Sequence, residues 1–160
     1  MHQEFIQQID FYLDENLRKI KIVWASLSEA EIWQRPNESC LAPANQLIHL
    51  SGNLRQWVGT ALAGKPEVRT RDAEFAIREG KDKAVVLAHF VEEFAFAKTR
   101  LSQATQLLDK HTVQGHHTTE MGVWIHMAEH LSYHTGQLVY TAKSMRDIDF
   151  DFYGSWKLKE

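Results

Sequence analysis

Cysteine, proline and glycine are all scarce in this chain. One cysteine, Cys40, in 160 residues excludes an intramolecular disulfide, a thiolate zinc cluster and a CxxC redox pair. Three prolines and eight glycines are too few for a turn-rich all-β fold. No apolar run approaches the roughly 18 residues needed to cross a bilayer. The opening Met1-His2-Gln3-Glu4 lacks the basic and apolar regions of a signal peptide. Neither sign of charge dominates, since a net charge of -3 leaves no electrostatic footprint for nucleic acid. The expectation is a cytoplasmic protein with no membrane or nucleic-acid partner.

What remains is a globular profile, 44% hydrophobic and 24% charged. The length predicts one domain, residues 1–160. Phe5, Ile6, Ile9, Leu13, Leu17, Ile20, Trp24 and Leu27 recur in steps of three and four, the spacing of one helix face. Ser28 and Glu31 have the spacing of a capping box, opening a short helical turn. Pro43 suits the first turn of a second helix through Gln46, Leu50, Leu54, Trp57 and Leu62, which Gly64 ends. Residues 64–81 read as a long loop with one helical turn near 73–78, of the kind that often covers a site. A third helix follows Asp82, with Val86, Phe90, Phe94, Ala97, Leu101 and Leu108 as its core stripe. The pattern breaks at 110–118, and Thr118 or Thr119 caps a fourth helix to about Met145. The tail from Arg146 is aromatic and aperiodic, an irregular strap. The predicted fold is all-α, a four-helix bundle.

The histidines are unevenly placed. Six of nine lie in the last third, and His126, His130 and His134 stand four apart on the fourth helix. Neighbours four apart differ by only ~40° around the axis, so each pair can address one ion. Imidazole suits zinc, nickel, iron or copper. A catalytic ion usually has three protein ligands, so a third must come from another helix. His49, beside the apolar stripe of the second helix, is the best candidate, and His89 is its rival. The competing interpretation of the same spacing is a set of hydrogen-bonded or solvated histidines.

Several chemistries drop out. Leu131 stands where a zincin carries its general-base Glu, and no Glu-x-x-His occurs for a di-iron bundle. There is no CxxCH and no phosphate-binding glycine loop. Cys40 has no evident base and reads as an inert thiol. No general base stands out either: Glu120 and Glu129 read as a solvated face, and Tyr133 and Trp124 as packing residues. Arg55, Arg69 and Arg71 are candidates for an anionic substrate, with Asp72 or Glu74 able to neutralise them as surface pairs.

Three blocks then carry a resemblance: Arg35-Pro36-Asn37 with Leu47 to Trp57, Arg69 to Phe75, and Glu129 to Gln137. Together, over roughly Ile9 to Val139, the chain resembles the DinB/YfiT-like superfamily of metal-dependent hydrolases and thiol transferases. The resemblance implies a four-helix bundle with a metal held by His49, His130 and His134, zinc or nickel, and His126 as a lining residue. It implies activation of water or of a low-molecular-weight thiol against a small-molecule substrate, and a homodimer. Two departures stand out: Ser39 to Ala44 replaces the polar entry expected before the second helix, and the tail matches poorly beyond Gly154-Ser155-Trp156. The alternatives are a non-catalytic metal-binding module and a purely structural or interaction bundle.

Overall fold

The computed structural model describes residues 2–154. Helix α1, His2–Ser26, follows the predicted stripe and buries Ile9, Leu13, Ile20 and Trp24. The capping box then forms as expected. Ser28 N–H donates to the Glu31 carboxylate at 2.7 Å, and Glu31 N–H donates to Ser28 Oγ at 3.3 Å. A 3₁₀ turn, Glu31–Trp33, follows.

Helix α2, Pro43–Leu54, starts on Pro43 and widens into a π-helical stretch, Arg55–Thr60. The widening appears as an Ala61 N–H bond to the Gln56 carbonyl, five residues back, at 3.0 Å. Gly64 ends the segment at φ +68°, a left-handed conformation that a side chain would strain. Within the expected loop lies a short helix α3, Arg71–Ala76. Helix α4, Lys83–Ser102, buries Val86, Phe90, Phe94, Ala97 and Leu101.

The expectation departs from the structure next. Helix α4 stops at Ser102 because its last turn tightens, Gln103 and Ala104 bonding to carbonyls three residues back. Leu108, predicted on the core stripe, is 75% exposed, while Ala104 and Leu107 are buried in its place. The fold is also not all-α. Strand β1, Lys110–Val113, pairs antiparallel with β2, His116–Thr119, in the stretch where helical periodicity breaks. Gln114 and Gly115, at φ 52° and 77°, form the two-residue turn, in which both central residues must be left-handed. The hairpin leads directly into helix α5, Glu120–Arg146. Thr119 Oγ1 accepts from Gly122 N–H at 3.2 Å, and the carbonyls of Asp109 and Leu107 accept from Glu120 and Met121. The orphan donors of the helix start are thereby satisfied.

The described chain is thus mostly helical, with five helices rather than four and one small hairpin. Helix α1 packs chiefly on α5, α2 on α4, and α2 also meets α5. Trp24, Phe90 and Trp124 fill the centre. Glu120 is not on a solvated face: it is 2% exposed and paired with Arg100 at 3.0 Å. Glu129 is exposed, as expected. The aperiodic tail lies over α1, where Arg18 donates to the Phe152 carbonyl at 3.2 Å, and Phe150 and Phe152 pack on the core. The predicted strap beyond Gly154 lies outside the described residues. Among the described residues, no helix is long and apolar enough to cross a membrane.

Candidate metal centre

The contact of α2 with α5 decides the site. His130 and His134, one turn apart, present their rings from α5 toward the face of α2 that carries His49. The ring centroids of His49 lie 5.2 Å from His130 and 4.9 Å from His134. His49 and His134 are buried and His130 is half-buried, and their ligand nitrogens all lie within 4.8 Å of one another. His49 Nε2 and His130 Nε2 are 3.1 Å apart. Nitrogens about 2.0–2.1 Å from a tetrahedral ion stand about 3.4 Å apart, so a modest closure of this triangle fits one ion. His134 Nδ1 is buried without a hydrogen-bond partner among the described residues, a further sign that the set is incomplete by itself.

Burial keeps the two α5 rings neutral. Burial, reinforced by the neighbouring histidines, pushes His130 down to about 3. Burial and His49 push His134 down to about 4, against a hydrogen bond to Gln137 that works the other way. A neutral imidazole offers a lone pair to a cation, and an imidazolium does not.

One residue that sequence reasoning assigned to the surface orients His49. Glu74, on α3, is 8% exposed, and its Oε2 accepts from His49 Nδ1 at 3.0 Å. Arg69 grips the same carboxylate through Nε at 2.7 Å and Nη2 at 2.8 Å. Burial works to raise the Glu74 pKa, but the bonds from Arg69 and His49 outweigh it and hold the carboxyl below its usual range. An ionised carboxylate only accepts, so the Glu74 contact favours a proton on His49 Nδ1, against the donor Arg69 Nη2 at 3.1 Å from the same nitrogen, and leaves the Nε2 lone pair toward His130 and His134. Gly52 makes room, because a Cβ there would overlap Glu74 Oε1 and come within 3.0 Å of Arg69 Nε. The sequence signal for this is Gly52, three residues after His49, where the missing side chain permits a close approach.

The other histidines stay apart from this triangle. His126 lies one turn earlier, stacked between Trp57, at 3.8 Å between centroids, and His130, at 5.1 Å. Burial lowers its pKa, and its Nε2 is buried without a hydrogen-bond partner among the described residues. The rival His89 is exposed on α4. His111 bonds the Ala61 carbonyl at 3.0 Å, and His117 bonds Thr112 across the hairpin at 3.0 Å. Beside the triangle opens a cavity of about 550 Å³, with the three histidines, Cys40, Phe75 and Tyr133 in its wall. The predicted loop supplies part of that wall through α3, whereas the C-terminal strap contributes none of the described lining.

A family profile described as "Protein of unknown function (DUF1572)" matches residues 1–154. The chain belongs to this family. The DUF1572 match runs from α1 through α5 and includes His49, Glu74, His130 and His134. No curated protein matches the chain.

Proposed function

We propose that this DUF1572 protein is a metal-dependent enzyme in which His49, His130 and His134 hold one divalent ion, zinc or nickel. The observation that carries this reading is the convergence of three imidazoles from two helices, within 4.8 Å, beside a cavity. In this reading α1, α2, α4 and α5 are the four long helices of a DinB-like bundle, and the protein works in the cytoplasm as a homodimer. When bound to neutral ligands, such an ion keeps its full charge and acidifies water or a small thiol, giving a hydrolase or a thiol S-transferase.

The chain's own residues have defined tasks. Glu74 holds the proton on His49 Nδ1, and Arg69 holds Glu74 ionised. Burial keeps His130 and His134 deprotonated. Phe75, packed 4.9 Å from the His49 ring, shields that side from water. The cavity receives a small molecule, in the size range of about 300–1,000 Å³ usual for ligand sites. A second reading, a non-catalytic metal-binding or interaction bundle, is favoured by one observation: no carboxylate lines the cavity as a general base among the described residues.

The deciding experiment is metal stoichiometry by mass spectrometry on untagged protein, with and without added zinc and nickel, beside His49→Ala. We expect about one ion per chain, lost in the variant. No bound ion in the unaltered chain, even after addition of both metals, overturns the proposal. One ion that supports no turnover of thiols or esters favours the non-catalytic reading.

A further inference from the structure

The partners of three arginines, Arg55, Arg69 and Arg71, separate them. Arg69 is committed to Glu74, and Arg55 to Glu93 at 3.2 Å. Arg71 makes no ion pair among the described residues, and its exposed guanidinium lies 4.7 Å over the Phe75 ring. That ring in turn packs on His49, so Arg71 is held at the rim of the cavity rather than left in solvent. Arg71 is also the one formally cationic side chain in the cavity wall among the described residues. A single fork of donors matches a monoanion, and its planar geometry matches a carboxylate.

Gln46 supplies an independent observation. It lies on α2, one turn before His49, and lines the same cavity. The residue is 3% exposed, and its Oε1 is buried with no hydrogen-bond partner among the described residues. Leaving a buried carbonyl unpaired is costly, and a leucine of similar volume would remove that cost. A turn of the Gln46 amide toward the cavity that the residue lines would bring this closed-off oxygen to a donor there.

We propose that this cavity selects a small carboxylate that also carries an N–H or O–H group. Arg71 takes the carboxylate, Gln46 Oε1 accepts from the donor, and the rest of the molecule faces the three histidines. N-acylated amino acids have this arrangement of groups. The inference rests on the proposed metal-dependent reading only for what happens at the histidine end.

The test is calorimetric titration of the full chain, zinc-loaded and chelator-stripped, with N-acetylglycine, N-acetylalanine and N-acetylphenylalanine against their neutral carboxamides. At least one acid is expected to bind about tenfold or more tightly than its amide, from a charge-assisted pair, and Arg71→Gln should abolish the preference. Gln46→Leu should weaken the acid while raising the melting temperature of the ligand-free chain, a combination a merely structural residue does not give. Acid and amide binding alike, no binding by any probe, or a preference that survives Arg71→Gln each overturns the proposal. Should Gln46→Leu fail to fold, Arg71→Gln decides alone. Arg71-dependent acid selection in a chain that takes up no zinc sinks the metal reading and leaves this one standing. One zinc per chain with no acid selection does the reverse.

Discussion

His49 Nδ1 and Glu74 Oε2 stand 3.0 Å apart, although 25 residues separate them in the chain. The bond joins a long helix to a six-residue helix in what reads as a loop. It fixes the tautomer of a candidate ligand, and Arg69 fixes the carboxylate. Ligand orientation therefore depends on a salt bridge one step removed from the histidines.

Glu74→Gln tests that dependence. The amide keeps the volume but loses the charge, and it can turn its NH2 toward His49 and free the wrong tautomer. Loss of such a partner typically weakens metal affinity about 10–100-fold. Zinc competition against a chromophoric chelator measures it. An unchanged affinity in a folded variant removes Glu74 from the site.

Gly52→Ala should lower stability where an ordinary helix would gain. In a free helix interior, alanine is favoured over glycine by about 1 kcal/mol. Here its Cβ would overlap Glu74 Oε1, so Glu74 and Arg69 must shift. The expected outcome is a lower melting temperature together with weaker zinc binding. A raised melting temperature with unchanged zinc affinity would show that the pair relaxes freely.

The metal-free chain should lose stability as pH falls. His130 and His134 titrate near 3 and 4 when folded, against about 6.5 when unfolded. Between those values the unfolded state binds more protons, so stability rises with pH there and falls on acidification. Urea midpoints in chelator from pH 7 to pH 4 should decline, and His130→Gln should flatten the decline. A slope identical in the variant excludes His130 as its source.

His126→Ala should leave the metal count intact. The ring stacks on Trp57 and lies outside the group of three. Its removal should lower the melting temperature through the lost stack, worth about 0.5–1.5 kcal/mol, without releasing the ion. Loss of the ion measured by mass spectrometry would assign His126 to the first coordination set.

The helices were legible because burial follows period. The stripes through Leu13 and Trp24, and through Phe90 and Phe94, needed only local spacing. The hairpin was not, since His116, His117, Thr118 and Thr119 carry no apolar alternation. Its signal was the left-handed pair Gln114-Gly115, with Gln standing where Asn or Asp usually marks such a turn. Glu120 reads as solvated because a carboxylate is rarely buried unless it is paired and its partner, Arg100, lies elsewhere in the chain, whereas for Glu74 the pairing with Arg69 is legible and only its burial is not.

By itself the sequence determined the long helices, the capping box at Ser28 and Glu31, and the three histidines as candidates, because each depends on residues within a few turns of one another. Only the tertiary structure decided that Glu74 is buried against His49, that Arg69 is committed to Glu74 while Arg71 makes no ion pair among the described residues, and that Gln46 lines a cavity. Those outcomes depend on which groups desolvate one another when α2, α3 and α5 meet, and desolvation is a property of the packed molecule.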